Sequence, residues 1–436
     1  MMRIRLCLIL LLLALVLCAC GAPAADTAPD PTPEPTVAPT PAPTPEPTPE
    51  PTPEPTPEPA AVQLEPTITG AMVNPNIFTD GKYTSDYPLL AGSTLTVTAE
   101  EPIGSLYLQF GTYPGEWTLT ADGRDYTCGR HGFLHEYIRL DEPATTLEIH
   151  VPEDGDVVLG ELSIFSVGYP PVWVQNWQSP DQPADILLFS THADDELLFM
   201  GGMIPYYAAV RGLRVQVVYM TTNYDPANRS PYYLNYRFRP HEALNGLWVA
   251  GDSVYPVTNM VRDRSCETIW DAERIYGPDS FFEFQTEMIR RFKPLVVVTQ
   301  AAGGEYGHGA HILTALSAER AVQAAADPEQ FPDSAEKYGV WDTPKTYLHE
   351  YGSDEEMTIL NYEEPSEALS GLTPFEAAEE AYRQHITQQQ WPAFFVYGFG
   401  QTHDSHRYGL YRSLVGPDEA KNDLMEHVSR ELFPAE

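Results

Sequence analysis

Ile186-Leu187-Leu188-Phe189-Ser190-Thr191-His192-Ala193-Asp194-Asp195-Glu196 decides how this chain folds. The apolar opening, Ile186 to Ser190, predicts a short buried strand. A histidine and three acids follow at once, and such groups are costly to bury without a cation or ligand to satisfy them. Open α/β sheets place their chemistry at this C-terminal edge of a parallel strand. A second such unit lies far downstream. The apolar run Leu295-Val296-Val297-Val298-Thr299 leads into Gly303-Gly304-Glu305-Tyr306-Gly307-His308-Gly309-Ala310-His311, a Gly-rich loop with two histidines at its mouth.

Between and around these units the pattern alternates strand and helix. Helices are predicted over 201–212, 240–250, 281–292, 310–326 and 376–390, and strands over 214–220, 252–257 and 345–351. Apolar strands alternating with helices imply an α/β, Rossmann-like, doubly wound and mostly parallel sheet over 180–436. Residues 64–170 read differently. Short period-two runs such as Thr94-Leu95-Thr96-Val97-Thr98 and Thr146-Leu147-Glu148-Ile149-His150-Val151 recur between Gly, Pro and Asp turns, which predicts an all-β sandwich ahead of the α/β part.

The N-terminal stretch is read as a targeting segment. Arg3 and Arg5 precede an apolar run from Leu6 to Leu17, and Leu17-Cys18-Ala19-Cys20-Gly21 resembles a bacterial lipobox. Residues 1–20 are then a lipoprotein signal peptide, and Cys20 is the lipid acceptor. Membrane contact runs through that lipid, on the extracellular face of a bacterial cell envelope. Residues 21–63 are a Pro/Thr/Glu-rich disordered spacer, whose prolines remove backbone donors and fix φ. Extended, its Pro29–Pro59 repeat reaches roughly 100 Å at about 3.1 Å per residue. Lys and Arg number 25 against 62 Asp and Glu, a net charge of −37, which argues against a nucleic-acid partner. Cys128 and Cys266, the cysteines of the folded part, fall in different predicted domains and indicate no disulfide framework.

The two strand ends supply a metal site. Catalytic zinc takes three protein ligands from His nitrogen and Asp oxygen and keeps one open position, and His192, Asp195 and His311 offer that set. One divalent ion is expected, zinc foremost and iron(II) next. Asp194, beside the ligands but not needed among them, is placed as general base. His308, one helical turn before His311, is placed to stabilise an oxyanion.

On these residues the chain resembles the PIG-L/LmbE-like metal-dependent de-N-acetylases. Their first motif, His-Pro-Asp-Asp-Glu after a strand, stands here as His192-Ala193-Asp194-Asp195-Glu196. Their second, a Gly-rich turn leading to His-x-x-His, stands as Gly303 to His311. The resemblance gives His192, Asp195 and His311 to the metal, Asp194 to the base, His308 to the oxyanion and Tyr306 to the substrate. Arg239-Pro240-His241-Glu242 matches an intervening Arg-x-x-Glu, with Arg239 a substrate contact. Thr373-Pro374-Phe375-Glu376 and Tyr382-Arg383-Gln384-His385 are similar to the closing helix, with His385 a further substrate contact. The likeness covers about 184–415. It implies removal of an N-acetyl group from an N-acetylglucosamine-type sugar or glycan at the cell envelope. It departs at Ala193, for proline, and at Ala310, for an acid that orients neighbouring histidines, a role Glu305 is placed to take. Residues 78–85 and 160–165 are similar to the edges of discoidin-type, galactose-binding-like domains.

Other readings compete. An amidase or deacylase on a non-sugar amide would use the same groups. A surface-tethered carbohydrate-binding protein would have let them decay. Each residue also has an ordinary structural role: a helix N-cap for the acids, loop exposure for His308 and His311, packing for Tyr306, a surface ion pair for Arg239 and core placement for His385. His403 and His406 form another polar cluster, read as cleft lining. The oligomeric state is not legible.

Overall fold

Proline bends the two longest strands of the N-terminal half. A computed structural model describes residues 58–70, 74–155, 157–224 and 236–435. Cys20 and nearly all of the spacer lie outside these residues. The first half holds β1 (Gln63–Leu64), β2 (Thr67–Thr69), β3 (Tyr87–Leu89), β4 (Thr94–Phe110), β5 (Trp117–Ala121), β6 (Arg124–Cys128), β7 (His135–His150) and β8 (Val157–Phe165). All pair antiparallel. Register breaks in β4 around Glu100-Glu101-Pro102, opposite Asp141-Glu142-Pro143 of β7. Proline cannot donate to a ladder, so both strands turn there. The first part of β4 pairs with β2 and the end of β7, and its last part with β8 and the start of β7. One hydrogen-bonded network thus surrounds a single core, shared by Leu95, Val97, Leu147 and Ile149 and by Leu106, Leu108, Leu162 and Ile164.

The folded part begins earlier than the sequence implies. Ala60 bridges Tyr169 and Gln63–Leu64 pairs with β8, so the spacer cannot extend to 63. The Pro-Glu-Pro repeat stops at Pro59, and every residue after it up to Leu64 has an N–H to pair.

The second half is a seven-stranded sheet of β9 (Ile186–Ser190), β10 (Val215–Tyr219), β11 (Val257–Thr258), β12 (Val296–Thr299), β13 (Lys345–His349), β14 (Thr358–Ile359) and β15 (Arg407–Ser413), in the order β11-β10-β9-β12-β13-β15-β14. The run from β11 to β13 is parallel, and β15 and β14 are antiparallel additions. Its helices are α1 (Asp195–Leu198), α2 (Arg239–Val249), α3 (Ile269–Tyr276), α4 (Ser280–Phe292), α5 (Gly309–Ala324), α6 (Pro332–Tyr338) and α7 (Pro374–Tyr382). Strand side chains alternate faces. Ile186 and Leu188 meet Leu197, Leu244, Leu247 and Ala378 on one side. Leu187 and Phe189 meet Phe281, Ile289, Leu313 and Val322 on the other. From β9 the chain builds β10 and β11 to one side, then returns to place β12 on the other, so the switch in strand order falls between β9 and β12.

Three elements differ from the expectation. The helix over 201–212 is a π-type turn at Pro205–Val210, and the short strand over 252–257 is only Val257–Thr258. The closing helix opens with a Thr373/Glu376 capping box but stops at Tyr382, where Gln389 Nε2 donates to the Tyr382 carbonyl, 2.9 Å away, and ends the ladder.

From residue 58 on, the described residues pack as a single unit. Phe133, from the turn before β7, stacks on Tyr255 at 4.1 Å, and Leu134 N donates to the Tyr255 hydroxyl at 2.9 Å. Both residues belong to the core that carries Leu244 and Leu247 of α2. Arg237 forms a buried bidentate pair with Asp86, at 2.6 and 2.9 Å. Tyr83 stacks on His241 at 4.7 Å, and His135 Nε2 lies 2.8 Å from His241 Nδ1.

That histidine pair makes stability fall in acid. Burial pushes His135 down to about 4, and burial, then the His135 and Arg237 charges, hold His241 well below its ordinary value. Below pH 6.5 the unfolded chain binds protons that the folded one refuses until about pH 4, so stability is lost as pH falls through that window. For His135 alone the loss is on the order of 3 kcal/mol. Denaturant midpoints between pH 7 and 4 should fall more steeply for the parent than for His135→Gln, and equal slopes would remove the pair as the cause.

Candidate metal and catalytic site

The strand-order switch brings the two sequence clusters together. Thr191, just past β9, donates its backbone N–H to Gln300 Oε1, just past β12, at 3.1 Å, and its hydroxyl bonds the same oxygen. His192 follows Thr191, and His311 comes in on the first turn of α5. Gly309 makes that approach feasible: a Cβ there would collide with the Thr268 carbonyl.

His192 Nδ1, Asp195 Oδ2 and His311 Nε2 form a triangle with sides of 2.9, 3.1 and 3.2 Å. Ligands about 2.0–2.2 Å from a tetrahedral ion stand roughly 3.3 Å apart, so the triangle has the size of a three-ligand face. The far nitrogen of each histidine meets a carboxylate. His311 Nδ1 lies 2.8 Å from Glu305 Oε2, and His192 Nε2 lies 3.4 Å from Asp263 Oδ1. A carboxylate accepts, so those nitrogens carry the hydrogens and the inward ones keep their lone pairs. His192, His308 and His311 also place a ligand atom each within 4.8 Å of one another. His308 Nδ1 is buried with no hydrogen-bond partner.

Charges around the triangle are unbalanced. Burial opposes it, yet Asp195 and Glu305 raise the His311 pKa to about 9, and Asp195 and Asp263 likewise hold His192 high. In return His311 and His192 hold Asp195 well below the carboxylate range, against burial. Burial, with the charges of His192 and His311 added, pushes His308 down to about 3.

Asp194 sits apart from the triangle. Its φ is +140°, a strained value for a non-glycine residue. Its N–H donates to Glu196 Oε2 at 2.8 Å, and its Oδ1 accepts from Arg239 Nη2 at 2.7 Å. Burial raises its pKa to about 6 although Arg239 pulls the other way.

Residues 187–322 match the family described as PIG-L, GlcNAc-PI de-N-acetylase. Over this stretch the chain is similar to the PIG-L family, and the protein is an enzyme of the de-N-acetylase type. The chain is 26% identical over 277 residues to 1D-myo-inositol 2-acetamido-2-deoxy-alpha-D-glucopyranoside deacetylase 1 of Frankia alni, covering 52% of this chain and 94% of that one. It is 31% identical over 156 residues to the protein of the same name from Saccharopolyspora erythraea, covering 30% of this chain and 50% of that one. Among solved structures it is similar to an N,N'-diacetylchitobiose deacetylase from Pyrococcus horikoshii, at 19% identity and a TM-score of 0.36, over 48% of this chain and 70% of that one.

Within this stretch, His192, Asp194, Asp195, His308, Tyr306 and His311 come together. Tyr306 is half-exposed, its ring 5.4 Å from that of His311. Arg239 is present but buried, its guanidinium held by Asp194, the Ala193 carbonyl and Asn223. It reaches Asp194, not open solvent. His385 is wholly buried, its Nε2 3.5 Å from Glu196 Oε1 and packed over Gly246. His403 rings Tyr306 and Tyr397 at the rim, while His406 is buried against Asp404. Two participants were not foreseen. Asp263 follows the short strand β11, and nothing in its sequence marks it. His349 ends β13 and donates to Glu305 Oε1 at 2.9 Å, so Glu305 bridges His311 and His349. Its position at a parallel strand's C-terminal end was the available signal.

Proposed function

We propose that the protein is a metal-dependent hydrolase that removes the N-acetyl group from an N-acetylglucosamine-type sugar. The observation that carries the reading is the triangle of His192 Nδ1, Asp195 Oδ2 and His311 Nε2 beside a carboxylate, Asp194, that stands outside it. Two imidazole nitrogens and one carboxylate oxygen suit zinc, with iron(II) the next choice. A divalent ion held there supplies Lewis acidity to the amide carbonyl and to water.

The chain's own groups do the rest. Asp194 takes the proton of the attacking water and returns it to the leaving amine, while Arg239 fixes the carboxylate's direction. His308 offers an N–H to the oxygen that gains charge. Glu305, clamped by His349, holds His311 in one tautomer and one orientation, which is the task left open by Ala310. Tyr306 covers the bound sugar from the rim. The lipid on Cys20 and the spacer place this chemistry at the cell envelope in our reading, with N-acetylated glycan as the substrate.

The test is release of free acetate from N-acetylated sugars, with and without chelator. Chelator-sensitive acetate is the expected result, and chelator-insensitive acetate would remove the metal from the reading. Glu305→Gln should weaken zinc binding by roughly 10- to 100-fold, read by competition with a chromophoric chelator. Unchanged affinity would leave His311 oriented by something other than Glu305.

A further inference from the structure

Glu196 is a wholly buried carboxylate that the chemistry above leaves without a task. Burying an acid is costly unless its oxygens are well bonded. Here one of them is not. Oε1 has no hydrogen-bond partner among the described residues, and His385 Nε2 stands 3.5 Å away. Room for that imidazole exists because residue 246 is glycine: a Cβ there would lie 2.9 Å from His385 Nε2. The other oxygen, Oε2, accepts from the Asp194 N–H at 2.8 Å.

That bond falls where the backbone is strained. Asp194 precedes α1, a position at which an aspartate ordinarily turns its carboxylate back onto the helix's own N–H groups. Asp194 makes no such bond. With φ at +140° its carboxylate is aimed elsewhere, and Oδ1 takes a hydrogen from Arg239 Nη2 at 2.7 Å. An L residue left to itself would relax to negative φ, where its side chain caps the helix.

Two anchors prevent that. The Asp194 carbonyl accepts from Leu197 N and Leu198 N, at 3.0 and 2.9 Å, which fixes the residue on its helix side. Rotation about the N–Cα bond is the remaining freedom, and a partner on the N–H is what restrains it. Glu196 Oε2 is that partner. A mere charge effect on the start of α1 would be served by any carboxylate near its first turn. Only a side chain of glutamate length reaches back two residues.

We propose that Glu196 is a positioning residue: through its bond to the Asp194 N–H it holds the general base in the strained backbone that keeps the carboxylate off the helix and in the site, with His385 as the wall behind it. This rests on the de-N-acetylase reading, in which Asp194 is the base. Misplacing a reacting group by about 1 Å costs on the order of 100-fold in rate.

The test separates reach from charge. Acetate release from N-acetylglucosamine is followed on the zinc-loaded full chain and on two variants. Glu196→Gln keeps an oxygen at the same reach, and its amide can donate to His385 Nε2. Glu196→Asp keeps the charge but is too short to meet the Asp194 N–H. The Gln variant should retain at least about a third of the parent kcat. The Asp variant should lose roughly tenfold or more in kcat, with KM and zinc content equal to the parent. An Asp variant as fast as the parent, a Gln variant as slow as the Asp one, or a loss that tracks missing zinc would overturn the inference. Should Glu196→Asp not fold, Glu196→Leu, which has the bulk and no acceptor, takes its place with the same expected loss. Should the parent release no acetate from this or other N-acetylated sugars, the de-N-acetylase reading fails, and the inference is decided without substrate. Amide hydrogen exchange at Asp194 should then be slow in the parent and in Glu196→Gln and roughly tenfold or more faster in the variant without reach, and equal rates would overturn it.

Discussion

Asp194→Asn should keep its fold and its metal and lose on the order of 100-fold or more of its turnover, the worth of a general base. Asparagine tolerates positive φ better than most residues, so the strained +140° backbone survives the change. Its amide oxygen can still accept from Arg239, and the triangle of His192, Asp195 and His311 is untouched. Only the capacity to take a proton goes. The loss should therefore appear in kcat, with zinc content equal to the parent. The other carboxylates are poor substitutes. Glu196 is buried with an oxygen on the Asp194 N–H, and Glu305 is engaged by two histidines. Turnover within a few-fold of the parent would pass the role to Asp263, whose side chain keeps 21% of its surface open.

Asp86→Ala should destabilise the whole protein by about 3–5 kcal/mol, because it leaves the Arg237 guanidinium buried and unpaired. Activity should fall with it. Arg237 lies two residues before Arg239, which pairs with Asp194, so the β half anchors the segment that carries Asp194's partner. For the same reason we expect a fragment starting near residue 180 not to fold alone, contrary to what the change of pattern there suggests. Its core would lose Phe133 and Leu134. Urea unfolding of the variant and solubility of the fragment are the measurements. A stable, active fragment would show that the β half is only carried along.

Sequence made the parallel strands and both motif clusters legible because each is local: an apolar run, then polar groups at its end. What it missed is non-local. Strand β15 (Arg407–Ser413) is rich in charged and aromatic residues and becomes a strand only between β13 and β14. Asp263 and His349 gain meaning through partners far away in the chain.

The position of β15 also sets when the site can exist. His349, which steadies Glu305 and through it His311, stands on β13, and β13 has β15 as its outer neighbour. During synthesis that neighbour arrives only after residue 413 has been made, long after both motifs. Until then a nascent chain has its ligands but not their backing. The enzyme should thus acquire its ion late, as one of the last events of maturation, and chains stalled or clipped before β15 should be unable to hold metal.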